Sequence, residues 1–307
     1  MSPKSRLLCA ALGVLAEDAY IARGGARRVE DVGHTAALLS LLTKVDDEVI
    51  DARAFHGGPL RLRGHDTLRR RTRAYLAATL DSIRTGRPAS TEARCELAAE
   101  IGVRLRSLSG GEARLDRLLA IIGRGWETQV RAVDILSRHP DATTLLQVAR
   151  ATRDISGDWL LMITMIGGLP AEASHPLTPA EERAFLRWGW HIQRADALAD
   201  FGKDIEAGLA NSWAGRVLHD RAPASYVPAL RERQTAALRM LLQQTCSDRV
   251  CLPRSADALH RAAKPLAGLG AVAERLRWIH GMLVSRYADA CPGNGAAMAM
   301  WANPEEG

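Results

Sequence analysis

The chain has 307 residues, 47% of them hydrophobic and 25% charged, with a formal net charge of +6. That balance supports a buried core and excludes a wholly disordered chain, and the aperiodic glycines and prolines exclude a collagen-like one. Ala, Leu and Arg dominate, and all three are strong helix formers, so an all-α, single-domain helical bundle is predicted.

Apolar residues recur at helical spacing near 5–22, 29–53, 65–85, 91–108, 112–138, 142–167, 178–208, 227–246 and 255–289. The first segment begins with Lys4 and Arg6 before the apolar run Leu7–Ala16, a loose imitation of a secretory signal. Glu17 and Asp18 follow at once and the pattern continues to Ala22, so an amphipathic first helix of a cytoplasmic protein is expected instead. Breakers fall between the segments: Arg23-Gly24-Gly25, Gly57-Gly58-Pro59, Gly86-Arg87-Pro88, Ser109-Gly110-Gly111, His139-Pro140 and Gly167-Gly168-Leu169-Pro170. Thr178-Pro179 with Glu181 and Glu182 reads as an N-cap, a first-turn proline and acidic first-turn residues. One domain over 1–291 is expected, with a flexible tail over 292–307.

The basic charge raises nucleic-acid binding, but the densest run, Arg69-Arg70-Arg71 with Arg73, has no interleaved aromatics for base stacking. It reads as a solvated helix face, and a basic chain also suits a small polyanion such as a diphosphate. Five scattered cysteines without a CxxC point to reduced thiols, with neither a zinc site nor a disulfide framework. No apolar stretch approaches the roughly 20 residues of a spanning helix, so no membrane anchor is expected. The Asp31/His34 and Asp257/His260 pairs are not the Glu-x-x-His of di-iron bundles. No phosphate loop, GxSxG elbow or HExxH is present.

Two acidic segments carry the chemistry. Asp46-Asp47-Glu48-Val49-Ile50-Asp51 ends the second helix, where Asp47 and Asp51 share a face within about 40°. Asp196, Asp200 and Asp204 follow at intervals of four near the end of another helix and span about 80°. On a lone helix such carboxylates repel and sit at the unfavourable end of the dipole, so Asp200→Asn is expected to leave stability unchanged or slightly raised. Facing carboxylates suit a hard divalent cation, and magnesium commonly bridges a few of them to substrate phosphates. The alternative is two solvated acidic helix ends paired with nearby Lys and Arg.

Asp47-Glu48-Val49-Ile50-Asp51 resembles the first aspartate-rich motif, DDIVD, of the squalene/phytoene synthase family, with Glu48 where that family has Asp. The stretch from Gln193 to Gly208 resembles its second motif, with Gln193, Leu198, Asp200, Gly202, Asp204 and Gly208 in register and Asp196 in place of Asn. The same stretch, continued through Leu209 to Asn211, is similar to tetraprenyl-β-curcumene synthases. Gly157-Asp158-Trp159 to Gly168 stands where the first family has a small-residue helix. The first family's tyrosines near motif one are missing, and the NSE triad of bacterial terpene cyclases is not visible.

The resemblance implies a class I terpenoid synthase fold and a magnesium-dependent reaction on an allylic prenyl diphosphate, farnesyl or geranylgeranyl. It implies that Asp46, Asp47, Asp51, Asp196, Asp200 and Asp204 hold two or three Mg2+ ions, with Asp47, Asp51, Asp200 and Asp204 the catalytic core of the set. Lys44, Gln193, Arg194, Lys203, Arg286 and Tyr287 are the substrate-binding candidates. Trp126, Trp159, Trp188 and Trp190 are candidates to line an apolar cavity and face a carbocation, or simply core residues. Cyclisation of the cation is the expected outcome, since Asp196 and the Gly208–Asn211 tail favour the curcumene-synthase-like pattern. Head-to-head condensation is the alternative, and a non-catalytic basic helical binding protein is the rival from another class. A homodimer is compatible with the sequence.

Overall fold

The structure, a computed structural model, describes residues 2–55, 65–136, 142–173, 177–200 and 259–287. Their helices are α1 (Pro3–Ile21), α2 (Val29–Phe55), α3 (His65–Thr85), α4 (Ala93–Leu108), α5 (Glu112–Leu136), α6 (Ala142–Ile166), α7 (Pro179–Ala199) and α8 (Gly270–Tyr287). A 3-10 segment, Lys264–Leu269, leads into α8. Among the described residues there is no strand, as the all-α expectation requires. No described helix is long and apolar enough to cross a membrane.

The first helix has the amphipathic pattern that its sequence predicts. Leu8, Leu12, Leu15, Ala16, Ala19 and Tyr20 line its buried side against α2, α6 and α8, while Pro3, Arg6, Ala10 and Ile21 are exposed along the opposite stripe. Burial of each leucine is worth about 1.5–3 kcal/mol, which anchors α1 to the bundle. Its start is fixed locally: Ser2 Oγ accepts from the Ser5 N–H at 3.1 Å, and Pro3 occupies the first turn.

Beyond this helix α5, α6 and α7 pack in sequence, α8 lies against α7 and α1, and α3 and α4 cover α2 and α5. Two close approaches bring the layers together. A Cβ at Gly13 would lie 2.8 Å from Gly33 O across the α1–α2 contact. A Cβ at Gly189 would lie 2.2 Å from Ser156 O and 2.6 Å from Gly157 Cα, so α7 rides directly on the α6 backbone. The small-residue segment at Gly157 thus sets the height of the helix that carries Asp196 and Asp200.

The expected cap of α7 is present in full. Thr178 Oγ1 accepts from the Glu181 N–H at 3.2 Å while Glu181 Oε2 accepts from the Thr178 N–H at 2.7 Å, a reciprocal capping box. The helix expected over 255–289 is instead broken by the 3-10 segment, because Pro265 cannot continue an α-helical ladder. The helix expected to reach 208 is α-helical to Ala199, with a turn at Asp200. Residues 201–208, the expected helix 227–246 and the tail 292–307 lie outside the described residues.

Candidate functional site

α1 and α2 form an antiparallel pair, so the first turn of α1 lies beside the 44–48 stretch of α2, and the last turn of α7 reaches the same end of the bundle. There the two acidic segments meet around two lysines. Lys4 Nζ donates to Asp196 Oδ1 at 2.8 Å and lies 2.5 Å from Asp200 Oδ1. Lys44 Nζ donates to Asp47 Oδ2 at 3.1 Å, and Gln129 Nε2 of α5 donates to Asp47 Oδ1 at 3.1 Å. The field of Asp196 and Asp200 also reaches Lys44, so the two ion-paired groups lie near each other at this end of the bundle.

The charges explain one another. Burial works against a charged Lys4, yet Asp196 and Asp200 outweigh it and hold the ammonium above its ordinary range. Asp47 raises Lys44 still further, with Asp196 and Asp200 adding to it against the cost of burial. Both lysines are therefore cations throughout the neutral range. A lysine in the first turn of α1 and carboxylates in the last turn of α7 each stand at the wrong end of their own helix dipole. Across the contact each compensates the other. Two ammonium groups against Asp47, Asp196 and Asp200 leave this set with one net negative charge, far from the repelling stack the sequence suggests.

Behind the cluster, burial pushes the Cys9 thiol up to about 11, with Lys44 lowering it and Glu48 raising it, so Cys9 stays a neutral thiol. On α6, Asp158 accepts from Arg124 Nε through both oxygens at 3.0 Å.

The predicted site residues do not all arrive here. Asp46 is one residue and about 100° away from Asp47, and it is buried between α2, α3 and α4 beside Tyr75, Thr79 and Arg94. Burial pushes its carboxyl up to about 6 although Tyr75, Arg94 and Thr79 pull the other way. It stands apart from the Lys4–Lys44 cluster. Arg194 is about 160° around α7 from Asp196; its guanidinium lies 5.4 Å from the Trp190 ring, and it acts on His191 and His280 instead. Gln193 stands within about 20° of Asp200 on the same helix face. Asp51 is four residues beyond Asp47 on α2, and Arg286 and Tyr287 form the end of α8, but described side chains stop at Val49 and Val284 on those helices. Lys203, Asp204 and the Gly208–Asn211 stretch lie outside the described residues.

Trp188 is fully buried and Trp126 nearly so, both within the main core; Trp159 packs against it. Arg69, Arg70, Arg71 and Arg73 are exposed along α3. Sequence reasoning missed Lys4 and Gln129 as partners of the acids, and no local spacing announces either.

Carboxylate oxygens are the right donors for magnesium, which keeps waters and takes few protein ligands. Among the described residues no three His, Cys, Asp or Glu side chains gather closely enough to hold one ion. The carboxylates present are of the type a hard divalent cation takes, and each is held here by a lysine ammonium. In comparison with known proteins, the chain matches no family model, no curated protein and no solved structure.

Proposed function

We propose that this chain is a magnesium-dependent class I terpenoid synthase that ionises an allylic prenyl diphosphate and cyclises the resulting cation. The observation that carries the reading is the meeting of Asp47 with Asp196 and Asp200 around Lys4 and Lys44, from segments about 150 residues apart. Asp47, Asp196 and Asp200 would hold the magnesium, with Asp51 and Asp204 added by the resemblance. Bound there, the metal would supply Lewis-acid stabilisation of the departing diphosphate. Lys44 would neutralise phosphate charge beside Asp47, and Gln129 holds Asp47 by donating to its second oxygen. Trp126, one turn before Gln129 on α5, is packed in the apolar core and would be the aromatic group to stabilise an allylic cation.

The test is pyrophosphate release from farnesyl and geranylgeranyl diphosphates with and without magnesium, with products read by mass spectrometry. Asp47→Asn should lose about a hundredfold in turnover, as removal of one preorganised electrostatic contact typically does. Asp46→Asn, buried on another side, should retain it. Absence of magnesium-dependent release from every allylic diphosphate between ten and thirty carbons sinks the proposal. Head-to-head products would replace cyclisation by condensation.

One observation favours a second, non-catalytic reading: every described carboxylate of the cluster already has an ammonium partner. In that reading the network is a clasp that ties the start of α1 to the end of α7. Magnesium and pyrophosphate would then leave the melting temperature unchanged.

A further inference from the structure

We propose that Lys4 is an exchangeable counter-ion of this site: it holds Asp196 and Asp200 until divalent cations take them, and then grips the diphosphate. The proposal rests on the synthase reading and deepens it, because it names a binding residue from α1 that neither acidic motif contains.

The geometry sets Lys4 and any divalent cation in competition for the same two carboxylates. The Lys4 ammonium lies 2.8 Å from an Asp196 oxygen and 2.5 Å from an Asp200 oxygen, on a side chain only 10% exposed. A divalent cation reaching for these same oxygens meets a positive charge already in place. Like charges at that separation repel strongly in a half-buried setting, so either the cation stays out or the ammonium leaves. Lysine suits the second course, being a point charge on a flexible four-carbon stem that can swing without disturbing the helix. Once displaced, a buried ammonium requires a new anion. The diphosphate carried by the incoming cations supplies one within the reach of that stem. Cation and diphosphate thereby favour each other's binding, since the cation frees Lys4 for the diphosphate and the diphosphate neutralises the ammonium that the cation displaces.

The experiment is isothermal titration of the full chain with magnesium alone, and with pyrophosphate at saturating magnesium. Wild type, Lys4→Met and Lys4→Arg are compared. In Lys4→Met, magnesium alone should bind about tenfold more tightly and pyrophosphate about tenfold more weakly, within the usual range of coupling between sites. In Lys4→Arg, a guanidinium that holds carboxylates by two hydrogen bonds should weaken magnesium binding relative to wild type. The arginine variant keeps the clasp, so the proposal stays testable should Lys4→Met fold poorly. Unchanged magnesium affinity in both variants overturns the exchange, and unchanged pyrophosphate affinity in Lys4→Met overturns the grip. If both shifts occur while wild type releases no pyrophosphate from any prenyl diphosphate, the synthase reading falls and the exchange site stands.

Discussion

The side of α7 opposite the acidic cluster makes the sharpest quantitative prediction. His191 on α7 and His280 on α8 are both buried, at 5% and 2% exposure. Burial lowers His191 to about 4, with Arg194 adding to the effect. Burial likewise lowers His280 to about 3, helped by His191 and Arg194. Both imidazoles are therefore neutral in the folded chain while they would titrate near 6.5 when unfolded. Groups with depressed folded values contribute full stability above the unfolded value. That contribution drains away as pH falls from 6.5 toward 4 and 3. At about pH 5 the unfolded state gains roughly 2 kcal/mol per histidine, so the pair costs about 4 kcal/mol. Only folded values well below 5 are needed for that figure. With unfolding entropy near 2 cal/mol/K per residue, a chain of this length should melt about 6 °C lower at about pH 5 than at about pH 7.5 from these two groups.

The check is melting followed by circular dichroism at both pH values for the parent and for His280→Gln. Glutamine keeps a polar group, and whatever its packing costs appears at both pH values and cancels. The variant should lose about 3 °C less on acidification than the parent. An identical loss in the two proteins refutes the reasoning, and with it the buried, neutral His280.

Asp200→Asn should now destabilise, by about 1 kcal/mol after screening, because it strips Lys4 of a partner; thermal melting decides between this and the rise expected from a lone helix. Turnover of the same variant should fall about a hundredfold, measured as pyrophosphate release. Gly189→Ala drives a methyl into Ser156 O and Gly157 Cα, backbone atoms that cannot swing aside, at a cost of about 1–3 kcal/mol. A Gly189→Ala protein that melts with the parent would refute the close α6–α7 approach.

What was legible in the sequence is what a helical turn decides for itself. Thr178 and Glu181 satisfy each other's backbone partners within three residues, so the cap of α7 could be read from four letters. The ends of α3 and α4 follow from Gly86 and Ser109 in the same way. Pro265 was equally visible, and passing over it joined a 3-10 segment to α8. The identity of the acidic residues was also on the surface of the sequence, but their company was not. Lys4 stands 192 residues before Asp196, and only the path of the chain brings the start of α1 to the end of α7. That contact reverses the argument from like-charge repulsion, which holds for a helix in water and fails where another helix supplies the counter-charge. Asp46 and Asp47 are neighbours in sequence, as nearly are Arg194 and Asp196, yet each pair is split by helical rotation. Which member turns to the cluster depends on where α3, α4 and α8 pack. Capping and breaking act over a few residues and are written locally. Which face is buried and which charges meet depend on elements far apart in sequence, and tertiary packing decides both.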